Sequence, residues 1–319
     1  MLKIFLFFLM VIGMIDVLIG AMVWSNLLVL LALGLTMTYI TTGVPNFAQA
    51  SFAIVGSYIA LTLLRLIGLN PYLSIPVTFI LGGILGLSTY YIALKPLIKR
   101  KASIEMLMIA TLAWDLILFG IIGAYSEVLS AITKKTETLF VFTSLDFNIY
   151  GIPGRLIVSS LLVLLTILGL YLLLYKTKFG IALRASMENP SLAEAMGINV
   201  ENTRLFSWFL SGALACMAGS VLPYLQEIVP QTGYFIVVSI FAASIVGGLY
   251  HIVGALVGGY IIGISESLFT YILSILLGPG VLVYSKVISL LMMIATVLLH
   301  PRGITGTEMW RRVERWLNL

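Results

Sequence analysis

Three carboxylates, Asp16, Asp115 and Glu266, stand inside long apolar runs of this 319-residue chain. An acid in such a place is costly to keep charged, so it serves ion, proton or solute transfer, or is tied into a bonded structural role. Glu266 follows Gly263 by three residues and Gly259 by seven, which sets all three on one helix face and turns the carboxylate toward packed protein. Asp115 has Thr111 and Trp114 beside it as a polar pocket, whereas Asp16 stands without such neighbours. Nothing completes an enzyme around these acids. His251 and His300 are far apart, no His-Glu-x-x-His occurs, and Cys216 has no second thiol, which excludes zinc, triad and disulfide chemistry. No Gly-x-x-x-x-Gly-Lys-Ser/Thr loop is present to cradle a nucleotide.

The elements that must position these groups are membrane helices. Apolar residues make up 61% of the chain and charged residues 10%, with a mean hydropathy of +1.11, which leaves too little polar surface to coat a water-soluble globule. Runs at about 4–22, 26–42, 50–67, 73–94, 104–125, 156–175, 205–222, 235–250, 252–274 and 284–299 predict ten membrane segments. They are too long and continuous for barrel strands, so an all-α polytopic protein is expected. Residues 1–319 form a single transmembrane domain in this reading, with some segments broken or re-entrant and an inverted internal repeat. The start of the chain has the outline of a signal peptide but no clean cleavage site, and is read as a retained helix.

Charge orients the chain. The net charge of +5 marks a cytoplasmic side rather than a nucleic-acid partner. With the N-terminus inside, 13 of the 18 Lys and Arg residues fall in cytoplasmic segments, among them Lys3, Lys95, Lys99, Arg100, Lys101, Lys176, Lys178, Arg184 and Arg204. Only Arg65, Lys134, Lys135, Arg155 and Lys286 lie outside. Both termini are then cytoplasmic. Trp310, Arg311, Arg312, Arg315 and Trp316 read as an interfacial anchor to anionic lipid. Of the two long loops, the external one at 126–155 is a lid, a docking surface or a solvated connection.

The inner segment 177–203 says more. Asn189 is suited to cap a helix, Pro190 to begin it and Gly197 to end it, two turns later. A helix this short is marginal alone, and Leu192, Ala193 and Met196 give it an apolar face for a partner protein or for the membrane interface. Near the N-terminus, Gly43 and Pro45 stop a helix, while Asn46 and Gln49 can bond the backbone groups the break frees. Such a break either lines a polar cavity with helix ends and amides or is an ordinary turn. Further on, Gly254 with Gly258 and Gly259 with Gly263 are small-xxx-small pairs suited to close helix packing.

Taken together, the stretches 34–52, 180–199 and 246–266, with His300-Pro301-Arg302-Gly303 near the end, resemble the branched-chain amino acid (Liv-type) permeases of ABC importers over roughly 17–306. Gln49 and Ala50 replace the family's usual His and Gly. The resemblance implies that Arg184, Ala185, Glu188, Asn189, Pro190, Leu192, Ala193, Met196 and Gly197 couple to an ATPase subunit. It also implies that Gly43, Pro45, Asn46, Phe47, Gln49 and Glu266 belong to the permeation path or its helix break. The expected partners are ABC ATPase subunits, a second permease subunit, identical or different, and an extracytoplasmic substrate-binding protein, in a prokaryotic cell membrane. No cofactor is expected on this chain, because ATP and magnesium would bind the ATPase. The cargo implied is a branched-chain or related small amino acid or amide. A competing reading, an ion-gradient-driven secondary transporter of a small polar solute, would use Glu266 and Asp115 as coupling sites and would have no need of the capped inner helix.

Overall fold

The computed structural model describes residues 2–301 and 303–306. In chain order it contains α1 (Leu2–Thr42), α2 (Gln49–Thr62), α3 (Ile75–Thr89), α4 (Lys95–Lys99), α5 (Ile104–Thr133), a hairpin of β1 (Asn148–Ile149) and β2 (Ile152–Pro153), and α6 (Gly154–Lys176). Then follow α7 (Lys178–Glu188), α8 (Pro190–Ala195), α9 (Val200–Val221), α10 (Thr232–Gly247), α11 (Ile252–Leu277) and α12 (Ser285–Leu299). Among the described residues seven helices are long and apolar enough to cross a membrane, and α10 and α12 are shorter apolar helices. The chain is an all-α polytopic membrane protein.

Two expectations are corrected by how local polar groups are satisfied. The runs at 4–22 and 26–42 are one helix. Ser25 and Asn26 read as a boundary, but the Ser25 hydroxyl donates to Ala21 O at 2.7 Å, and the Asn26 amide donates to Ser159 and Ser160 at 3.1 and 3.0 Å. No Gly or Pro stands between Ala21 and Leu33, so nothing breaks the helix at the expected boundary. The second correction concerns the outer loop. α5 runs to Thr133 rather than ending near 125, and Lys134 caps it in the left-handed region at φ 55°, so the loop begins at 134.

Helix directions follow from residue pairs. Gly34 meets Ser211 while Arg204 Nε donates to Thr41 O at 3.4 Å, so α1 and α9 are antiparallel. Val29 and Ser25 meet Gly259 and Gly263, so α1 and α11 are antiparallel as well. An unbroken α1 therefore starts at the end of the bundle opposite the 177–203 segment. The chain's last described residues lie at the other end: Thr305 Oγ1 donates to Gly247 O at 2.5 Å, and Gly303 abuts Gly248. The start of α1 and residues 303–306 thus lie at opposite ends of the bundle, because α1 has no turn. Among the described residues, eight basic residues (Lys95, Lys99, Arg100, Lys101, Lys176, Lys178, Arg184 and Arg204) stay on the side of the 177–203 segment, against six (Lys3, Arg65, Lys134, Lys135, Arg155 and Lys286) on the other. Arg302 and the proposed C-terminal anchor of Trp310, Arg311, Arg312, Arg315 and Trp316 lie outside the described residues.

The center of the bundle is α9, 83% of whose most apolar window is buried, against 22% for α5, α6 and α11. Small residues make this possible. A Cβ on Gly219 would come within 2.8 Å of Ala53 Cα, and one on Gly212 within 2.8 Å of Gly86 N. Ser57 Oγ donates to Gly219 O at 2.6 Å and Cys216 Sγ to Phe52 O at 2.9 Å, bonds that only near-touching backbones permit.

The outer loop is clamped down. Glu137 is fully buried and pairs with Arg65 at 2.7 Å, Phe142 N donates to Pro223 O at 2.8 Å, and Asp146 accepts from Tyr72 Oη at 2.7 Å and Arg155 N at 3.1 Å. Gly56 offers a test of the packing, since a Cβ there would meet Cys216 Cα at 2.5 Å, whereas nothing lies within 4 Å of Gly169 on α6. Gly56→Leu is expected to cost about 2 kcal/mol or more through overpacking, and Gly169→Leu to be neutral within about 0.5 kcal/mol. Denaturation midpoints of the purified protein in detergent check this, and equal midpoints for the two variants would contradict it.

Candidate functional site

The inner segment begins with Thr177, whose hydroxyl accepts from Gly180 N at 2.9 Å and starts α7. Leu183 and Ser186 turn inward, Ala185 is half-buried, Glu188 is exposed, and the Arg184 guanidinium lies 4.8 Å over the Tyr175 ring. α8 is capped at both ends. Asn189 Oδ1 accepts from Leu192 N at 3.0 Å, and Pro190 occupies the first turn. At the far end Gly197 adopts φ 83°, with Ile198 N donating to Ala193 O at 3.0 Å and Gly197 N to Glu194 O at 2.9 Å, the paired bonds of a glycine-terminated helix. The expected apolar face divides. Leu192 and Met196 point outward at 61% and 77% exposure, whereas Ala193 is 3% exposed, so Ala193 anchors α8 and leaves the other two free. After Asn199, whose side chain caps α9 by accepting from Asn202 N at 3.2 Å, the chain enters α9 directly.

The break between α1 and α2 is deep. Gly43 closes α1 at φ 71° with its N–H on Tyr39 O at 2.7 Å. The chain turns back through Pro45, and α2 begins beside Ser211, midway along α9. Gln49 binds the break together: Oε1 accepts from Ser211 Oγ at 2.7 Å and Asn46 Nδ2 at 3.1 Å, and Nε2 donates to Leu31 O at 3.2 Å and Ser211 O at 3.4 Å. Asn46 Oδ1 accepts from Ala48 N at 3.1 Å. Both amides are fully buried, so they brace the break rather than line a cavity. Phe47 keeps a partly open face and stacks on Phe241 with ring centroids 4.8 Å apart.

Glu266 lies elsewhere, against α10 and α12, where it pairs with Lys286 and accepts from Ser239 Oγ at 2.7 Å and Ser289 Oγ at 2.6 Å. Lys286 also sits 4.5 Å over the Trp24 ring. The pair borders a hollow of about 370 Å³ with Gln226, Thr270 and Tyr271. Of the small-residue pairs, Gly254 and Gly258 press on α10 and Gly259 and Gly263 on α1, so the two stripes serve different helices. Asp115 Oδ1 accepts from Ser51 Oγ at 2.5 Å, and Asp16 is exposed on α1.

Sequence reading missed the partners of these acids. Lys286 was assigned to an outer connection, yet it lies in the first turn of α12, where it faces Glu266. Ser51 lies one turn beyond Phe47, a spacing that could have drawn attention to it. Glu201 ties the start of α9 to α4 and to the residue that follows α3, pairing with Lys95 at 2.8 Å and accepting from Tyr90 Oη at 3.0 Å. Among the described residues no group of three or more His, Cys, Asp or Glu could hold a metal.

Removing Lys286 alone would leave a buried, uncompensated carboxylate. Lys286→Met is therefore expected to destabilize the protein by about 2 kcal/mol or more, and the double change Glu266→Gln/Lys286→Met by clearly less. Denaturant midpoints of the three proteins check the order, and a double variant at least as weak as Lys286→Met would refute it.

A family model described as branched-chain amino acid transport system / permease component matches residues 17–297. A relative named "Probable branched-chain amino acid transport permease protein LivH", from Methanocaldococcus jannaschii, is 69% identical over 94% of each chain. The high-affinity branched-chain amino acid transport system permease protein BraD of Pseudomonas aeruginosa is 27% identical over 87% of this chain and 91% of its own. The ribose import permease protein RbsC of Haemophilus influenzae is 26% identical over 73% of this chain and 71% of its own. No solved structure matches the chain. With the model match spanning most of its length, the chain belongs to the family of branched-chain amino acid transport system permease components.

Proposed function

We propose that this permease moves branched-chain or related small amino acids inward through a prokaryotic cell membrane, driven by ATP hydrolysis on separate subunits. The names of its relatives supply the cargo class. The charge bias supports a topology with the 177–203 segment in the cytoplasm and the start of α1 outside. Two permease subunits would enclose the path, an extracytoplasmic binding protein would deliver the solute to it, and ATP with magnesium would bind only the ATPase.

The single observation that carries the coupling role is α8. A helix too short to persist alone is held by caps at both ends and by buried Ala193, and among the described residues Leu192 and Met196 stay largely exposed on it. An ATPase groove that receives those two side chains would move α8, and α9 with it. A docked ATPase closing on ATP would in this way open the path outward, and hydrolysis would release it.

Met196→Asp is expected to weaken ATPase docking at least about tenfold, since it buries an unpaired charge in the groove, with insertion and thermal stability unchanged. Ala193→Arg, facing inward, should instead loosen α8 itself and lower stability. Co-purification of the ATPase with each variant, alongside melting curves, checks both. An intact, fully active complex with Met196→Asp would remove the coupling assignment, and gradient-driven uptake by this chain alone in liposomes would replace the ATP-driven reading altogether.

A further inference from the structure

Resting on the reading of the chain as an amino acid permease, we propose that an aromatic strip on the face shared by α1, α2, α5 and α10 is this chain's wall of the permeation path. We further propose that Asp115 within it receives the ammonium group of the passing amino acid. The strip has three rungs. At the inner end the Tyr39 and Tyr250 hydroxyls are 3.2 Å apart and their rings 5.5 Å. At the helix break Phe47 stacks on Phe241 at 4.8 Å, and farther out Phe119 meets Tyr234 at 5.0 Å.

Asp115 stands between the second and third rungs. On α5 it lies one turn from Thr111, whose Oγ1 accepts from Phe47 N at 3.4 Å, and one turn from Phe119. Its bonded partner is the Ser51 hydroxyl. Among the described residues no cation pairs with it, in contrast to Glu266, which is saturated by Lys286 and two serines. A carboxylate with one donor keeps lone pairs free, and an ammonium beside it would also meet the faces of Phe119 and Tyr234.

The strip leads outward into a cavity of about 590 Å³ lined by Phe119, Gly123, Glu127, Thr138 and Gln231. A second hollow of about 500 Å³ adjoins it, sharing Glu127 and Thr138 and adding Lys134 and Lys135. The mouth thus offers both signs of charge, as a zwitterion requires, and the aromatic rungs below it suit an apolar side chain. The outward faces of α3 and α6 contrast with this. Their exposed large residues, such as Val77, Ile80 and Ile84 or Leu161, Leu164 and Leu168, are those of a lipid-facing surface.

The test uses the complete transporter, with ATPase and binding protein, in proteoliposomes. Phe119→Cys, Tyr234→Cys, Phe241→Cys and, as a control on α6, Leu164→Cys are each treated with a cationic, water-soluble methanethiosulfonate. The native Cys216 is buried and stays silent. The three strip positions are expected to label from water, more slowly during leucine import, and the control to remain unlabeled. Asp115→Asn is expected to cut leucine uptake at least tenfold while ATP hydrolysis stimulated by the binding protein persists, with partial recovery in Asp115→Glu. Strip cysteines as inert as the control would overturn the wall, and wild-type uptake by Asp115→Asn would overturn the role of the acid. A wild-type complex that imports no amino acid would sink the functional reading and the ammonium site with it, while the labeling would still decide the wall.

Discussion

Backbone contact at α9 is the constraint on which the rest depends. Without a hydrophobic gain from helix association in lipid, cohesion must come from close packing and from bonds that near-touching backbones permit. Gly212, Gly219, Ser211 and Cys216 supply that on the faces of one helix, against α1, α2 and α3. The deep break before α2 is possible only because of this arrangement. Ser211 offers both a hydroxyl and a carbonyl to Gln49, so the buried amide side chain that braces the interruption at mid-depth is hydrogen-bonded.

The acids show the same economy applied differently. Glu137 and Glu266 are buried with a basic partner each, Arg65 and Lys286, and these pairs fasten the outer loop and α12 to the bundle. Pairing a buried acid with a base gives rigidity. Asp115, held by one serine and, among the described residues, by no cation, is the acid beside the aromatic rungs.

Much of this was legible in the order of residues. The bounds of α2, α9, α11 and α12 follow apolar runs, and the Asn189, Pro190 and Gly197 caps give α8 to within a residue. What escaped detection depended on distant neighbors. Ser25 and Asn26 look like a helix boundary until Ser159, Ser160 and Tyr260 are brought beside Asn26. Periodicity on a two-turn helix could not show that Ala193 faces inward, and no spacing rule links Glu266 to a lysine on the next helix or Asp115 to a serine three helices earlier. The break was visible from Gly43 and Pro45, but its depth was not, because depth is set by where Gln49 finds Ser211.

Only Met196 to Asn199 separate α8 from the first turn of α9, and that turn is fastened to Lys95 and Tyr90 through Glu201, with Arg204 reaching Thr41 one turn later. So short and braced a joint has no slack in which to lose a push. Under the proposed coupling role, a tilt imparted at α8 would be geared straight into the axle of the bundle and shared at once with the helices meshed around it, with little room for lost motion.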